Sequence, residues 1–348
     1  LRAIANLSLS GGPATLAVGA DQTGTLSVTT GNTLTVDNAV TFNDNATLTI
    51  GSTGNTGTVV FAPTSLTASD TAQVSVQVGT LVAGNGGLAE LTAVASATTI
   101  ASGATLDFQD QTGDGINALF GAGTVNIGTS ASTTLTVNSG NFSGNIAGDG
   151  GLVKETEGTL VLSGQNAFIG GTTLNAGTLI VDGSLSFGQG NVDMYGGTLG
   201  GSGHVGSIML NAGTVAPGGT LTAQALYWTS GTLLFDLGPT SPESDQLALD
   251  ILTGYGAPGT FYEFTFADEG WVVGTPYTLI LFEGTNIDIA SFRYTNKGGF
   301  AGTFSFNNNA NPTALQFTIT AVPEPHECAI AVTALLGAAI LLRRRKAA

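Results

Sequence analysis

The triplet Gly-Thr-Leu begins at Gly158, Gly177 and Gly197, close to every twentieth position, and Gly213-Thr214-Val215 continues the series. The same residues in the same order at that spacing match one coil of a parallel β-solenoid, where each coil buries its aliphatic side chains only by stacking on its neighbours. Pairs of large aliphatics separated by one residue recur with it: Leu7/Leu9, Leu26/Val28, Leu34/Val36, Leu48/Ile50, Leu135/Val137, Leu160/Leu162 and Leu179/Val181. Period two means strands with one buried face. The Gly, Asn, Asp and Ser between the pairs suit tight or left-handed turns. An antiparallel sandwich with turn signals every 8 to about 12 residues is the rival, but few stretches read as two-residue hairpins. At about 20 residues per coil and about 4.8 Å per stacked strand, residues 1–220 predict a rod of roughly 50 Å.

Composition agrees. Of 348 residues 52 are Gly and only 9% are charged, so the residues that decorate soluble helices are scarce and an all-β chain is expected. Lys and Arg total 8 against 24 Asp and Glu, and four of the eight are Arg343, Arg344, Arg345 and Lys346. Nucleic acid is excluded as a partner, because neutralising phosphates needs a basic face. The acidity suits an exported, soluble surface. Cys328 is the one cysteine, so no internal disulfide forms. With Leu1 first and no charged-then-apolar leader, the start of a precursor is expected to be missing.

The segment GGLVKETEGTLVLSGQNAFIGGTTLNAGTLIV, residues 150–181, carries a sharper signal. Its Gly150-Gly151-Leu152, Lys154, Gly158-Thr159-Leu160, Leu162-Ser163-Gly164, Asn166, Gly170-Gly171-Thr172 and Asn175-Ala176-Gly177-Thr178-Leu179 resemble the autotransporter-associated β-strand repeat of secreted bacterial passenger domains. The Gly-rich GGTLGGSGHVGSIMLNAGTVAPGGTL that follows resembles the coil that commonly comes next in such passengers. The resemblance implies a right-handed parallel β-helix forming a passenger-type shaft. Physically, the glycines are corners, Leu and Val fill the interior, and Asn166 and Asn175 are expected to bond corner backbone from inside a turn. Such passengers end in a membrane β-barrel. About a hundred residues separate the repeats from the tail here, so export by another route is expected, with the tail in the barrel's place.

Seventeen of the 25 aromatic residues fall between Leu221 and Thr320. A solenoid's last coil exposes unpaired backbone and apolar interior unless covered, so residues 221–320 are expected to be a β cap. The alternative use of those rings is a carbohydrate platform built on Tyr227, Trp228 or Trp271.

The tail reads VPEPHECAIAVTALLGAAILLRRRKAA. Residues 329–342 are uncharged and span about 21 Å as a helix, short for the roughly 30 Å hydrocarbon core. Arg343, Arg344, Arg345 and Lys346 would stop it on the cytoplasmic side, placing the body across the membrane. Val322, Pro323, Glu324 and Pro325 precede it, the prolines keeping that segment extended. Proline-acid-proline, short apolar helix and Arg cluster, in that order, resemble the PEP-CTERM sorting signal of exopolysaccharide-producing Gram-negative bacteria. That resemblance implies an exosortase-type sorting enzyme as partner, the inner membrane through a transmembrane helix at 329–342, and exopolysaccharide as a further partner. The competing reading is an ordinary C-terminal anchor.

No catalytic constellation, cofactor site or metal site is expected. Asp107, Asp110 and Asp114 are the densest acidic stretch, yet no Arg, Lys or His stands near, as a polysaccharide lyase requires. Their spacing matches neither calcium motif, and they read as turn residues. His204 reads as a turn histidine, and Lys154, Glu155 and Glu157 as an exposed charged edge. His326, Glu327 and Cys328, adjacent in an extended segment, cannot all face one ion. The expectation is thus an all-β protein: a right-handed parallel β-helix over 1–220, a cap over 221–320 and a sorting tail over 321–348. Its expected role is a non-enzymatic, structural or adhesive surface protein, with a carbohydrate-active β-helix enzyme as the alternative.

Overall fold

A computed structural model describes the chain except residues 4–6, 10–14, 112, 186–190, 269, 297–298, 310–311 and 323–348, with backbone alone at 2–3, 7–9, 114 and 268. The described residues form a β-solenoid of about eleven turns. Parallel pairing carries one inward column from Leu48 through Val74, Thr98, Leu119, Gly140, Leu160, Leu179, Leu199 and Val215 to Leu233 and Phe264. A second runs Leu34, Val59, Leu81, Leu106, Val125 and Ile146. A third runs Leu135, Leu152, Thr172, Val192, Ile208, Leu226 and Leu252. The aliphatics in these columns are at most 1% exposed, one continuous core. Each coil of the repeat is three-sided, as in Gly151–Lys154, Thr159–Leu162 and Gln165–Phe168.

The Gly-Thr-Leu repeat is one corner seen five times. Thr159, Thr178, Thr198, Thr214 and Thr232 are register partners on successive coils. The glycines before them are all left-handed, with φ of 121°, 70°, 67°, 88° and 91° at Gly158, Gly177, Gly197, Gly213 and Gly231. A Cβ at Gly197 would lie 2.6 Å from the Gly177 carbonyl oxygen, and one at Gly213 2.5 Å from that of Gly197. Handedness and stacking distance both demand glycine. Gly231-Thr232-Leu233 is the fifth member, one coil beyond Gly213, and was absent from the series read in the sequence.

Parallel pairing runs on past residue 220, which lies at the start of the strand Thr220–Trp228. That strand pairs with Gln246–Gly254, and Thr232–Leu237 pairs with Tyr262–Asp268, which pairs in turn with Phe292–Asn296. The coils lengthen here: Leu233 pairs with Phe264, far beyond the interval that joins Leu179 to Leu199, so the short period vanishes while the stack continues. Ladder pairing turns antiparallel where Thr313–Ala321 joins Pro276–Phe282 on one side and Ala301–Asn307 on the other. Phe317 centres an aromatic cluster there, 4.5 Å from Phe266, 4.8 Å from Tyr294 and 5.0 Å from Phe304, ring centre to ring centre. Offset and edge-on rings fill a wide coil that Leu and Val would leave hollow.

Among the described residues one α-helix, Gly87–Val94, interrupts the strands, with Leu88 and Leu91 fully buried against the core. Asn85 Oδ1 accepts from Gly87 N at 3.0 Å at its start. Among the described residues no helix is long and apolar enough to cross a membrane. The helix expected over 329–342, with Pro323 to Pro325, His326 to Cys328 and the Arg343–Lys346 stop, lies outside the described residues.

Candidate functional site

Asp110 sits at a coil corner and reaches the next coil. Its Oδ1 accepts from Thr129 N at 2.7 Å and Ser130 N at 3.0 Å, and its Oδ2 from Thr129 Oγ1 at 3.1 Å. The Thr129 amide above all holds its carboxyl below the ordinary carboxylate range. A carboxylate so engaged is a weak base and no proton donor near neutrality. Asp107 Oδ1 accepts from Gln109 N at 2.9 Å, an Asx-type turn bond that supports the left-handed Gln109 (φ 54°). Both aspartates therefore build corners. The Asp114 strand pairs with Leu135, but its side chain lies outside the described set.

A second carboxyl, Asp193, is pushed up by burial. Glycoside hydrolysis needs two carboxyls facing one bond. The register partners of Asp193 on the neighbouring coils are Thr173 and Met209, so neither supplies the second. Asp245 is used structurally too: Oδ1 accepts from Gly219 N at 2.8 Å and Oδ2 from Asp236 N at 2.9 Å. Among the described residues no three His, Cys, Asp or Glu converge as a metal site.

Lys154 overturns one expectation. Glu155 and Glu157 are exposed, but Lys154 is 0% exposed. It ends the strand Gly151–Lys154 pointing inward, and its Nζ donates to the carbonyls of Thr156 and Ala176, the latter at 3.3 Å. Burial pulls its pKa down, with Glu157 opposing. Just outside lies a groove of about 380 Å³ lined by Glu157, Gly158, Asn175, Gly177 and Gly197. Sequence reading missed the inward lysine because strand alternation was not carried one step past Leu152.

Asn166 stands where an aliphatic would be, between Ile146 below and Leu185 above. Its Oδ1 accepts from Ile146 N at 3.0 Å, and its Nδ2 donates to Ser184 O at 3.1 Å and Gly164 O at 3.2 Å, tying three coils together from inside. Asn175, expected to do likewise, is exposed. The His204 backbone is a rung, bridging Ser184 and Thr222 in parallel, with its side chain exposed.

The aromatic candidates divide. Trp228 is 0% exposed, packs on Tyr262 at 5.0 Å and donates Nε1–H to Gly231 O at 3.3 Å, so it cannot serve as a platform. Trp271 is half-buried, edge-on to Phe300 at 5.1 Å. Tyr227 reaches the surface, with Tyr255 (59% exposed) 5.6 Å away. Of the sorting motif, Val322 is the described member, 40% exposed directly after the last strand.

Residues 152–181, the coils around Lys154 and Asn166, match the family described as Passenger-associated-transport-repeat. An "Adhesin BmaC autotransporter" of Brucella suis biovar 1 is 43% identical over 74 residues, 21% of this chain and 2% of the adhesin. An "Extracellular serine protease" of Serratia marcescens is 43% identical over 79 residues, 22% of this chain and 7% of the protease. The chain thus spans a small fraction of either relative's length.

Proposed function

We propose that this chain is an exported, non-enzymatic shaft of a Gram-negative cell surface or extracellular matrix, with a structural or adhesive role. The observation that carries this is the use of the acidic corner: of the best candidates for polysaccharide chemistry, Asp107 is bonded into its own turn and Asp110 ties that turn to the next coil. The matched segment supports it. An adhesin and a protease each resemble this chain over fewer than 80 residues, so the likeness suits a scaffold common to different activities rather than any one of them. In this reading Val322, Pro323, Glu324 and Pro325 are presented to an exosortase-type enzyme while residues 329–342 hold the end in the inner membrane and Arg343 to Lys346 stop it. Exposed Tyr255, beside the half-buried Tyr227, offers an aromatic face to exopolysaccharide.

Intact mass of the protein recovered from its native host tests the sorting part. Removal of the tail predicts a chain ending before Arg343; a chain retaining Arg343 to Ala348 contradicts it. New reducing ends or unsaturated products from polysaccharides, abolished by Asp107→Ala or Asp110→Ala, would overturn the non-enzymatic part.

A further inference from the structure

The end of the shaft from which the tail departs carries an apolar rim. Gly270 and Gly274, left-handed at φ 91° and 82°, bracket a loop that lifts Val272 and Val273 into solvent at 46% and 48% exposure. The loop is pinned, not free. Gly274 N donates to Ile319 O at 2.8 Å, Val272 N donates to Tyr277 Oη at 2.5 Å, and Trp271 rests edge-on against buried Phe300. On the other flank of the last strand, Ala321 is opposite Ala301, both exposed, and Val322 follows at 40% exposure. Isolated exposed aliphatics need no explanation, but Val272 and Val273 stand side by side on a loop bonded to the last strand, and Ala301, Ala321 and Val322 are exposed at that strand's end, so five exposed apolar residues gather at one end of the shaft.

The chain beyond Val322 says what covers it. The uncharged run 329–342 begins seven residues on, and seven residues span at most about 25 Å even when fully extended. If that run lies in a bilayer, as proposed above, the rim stays within that reach of the lipid surface. We infer that the rim is a lipid-contact surface: Val272 and Val273 enter the headgroup boundary, with the half-buried Trp271 ring directly behind them as a reporter. The body would then stand on the membrane by its C-terminal end rather than swing on a loose tether. This inference rests on the tail's being a membrane segment. The chain's net charge of −16 favours zwitterionic over anionic lipid.

The test uses the full chain with phosphatidylcholine vesicles, read by flotation and by quenching of tryptophan emission with lipids brominated near the top of the acyl chains. Trp228, fully buried, supplies an unquenched background. The rim predicts that the chain floats and that the lipid bromines quench Trp271 emission, as expected for a ring at the roughly 5–10 Å interfacial layer. The double variant Val272→Glu/Val273→Glu should still float but lose that quenching. Flotation without quenching in the unaltered chain overturns the rim and leaves the tail reading intact. Failure to float overturns both. A vesicle-free dimer that the double variant makes monomeric would assign the rim to a second copy and overturn the lipid contact.

Discussion

Lys154 is the residue where the repeat's chemistry is most exacting. An ammonium with no exposed surface stays inside only because carbonyls of its own coil and the next, Thr156 and Ala176, accept its protons. Its folded pKa lies below the ordinary 10.5, so between the two values the unfolded chain binds more protons than the folded one. Stability should therefore rise with pH across that window and level off above 10.5. The cost of the buried charge is fully felt below the folded pKa. Urea unfolding from about pH 7 to the ordinary lysine pKa should show this rise in the unaltered chain and a flatter curve in Lys154→Met, which keeps the stem's volume without a titrating group. Equal slopes would mean that Lys154 titrates as in water. At this scale the sequence was legible for glycine corners and for Asn166, whose roles follow from backbone geometry. It was not legible for Lys154, because residue type suggests the surface for a lysine and only strand parity decides.

Elements were legible where their length was constant. The strands around Leu160, Leu179 and Leu199 recur at a nearly constant interval because three short strands and three tight corners fill each coil. Beyond Leu233 the corners carry long loops, as between Asp236 and Asp245, so the interval lengthens and the same stacking no longer leaves a short period in the sequence. The helix Gly87–Val94 escaped for a related reason: Leu88 and Leu91 form a single turn's worth of pattern inside a Gly- and Ala-rich stretch. The antiparallel strands at the end depend on Phe317, fully buried among Phe266, Tyr294, Phe300 and Phe304. Phe317→Ala should cost about 3–5 kcal/mol by lost transfer and cavity terms. Denaturant unfolding checks the loss, and light scattering should show self-association as the unpaired edges of the last coil open. A change below about 1 kcal/mol, small against other core deletions, would mean that this cluster does not close the stack.

In the whole molecule each coil lies directly on its predecessor in parallel register, about 4.8 Å apart, around a dry aliphatic column. Ser75, Thr99, Phe120, Asn141, Val161, Ile180, Gly200 and Ala216 are successive partners on one outer face. Pulsed electron resonance between spin labels at Ser75 and Ala216, seven rungs apart, measures that stack directly. A stacked solenoid predicts a separation of about 34 Å, with Asn141 to Ala216 shorter by three rungs' worth, so that distance scales with rung number. Separations that do not grow with rung number, as two facing antiparallel sheets would give, would contradict it.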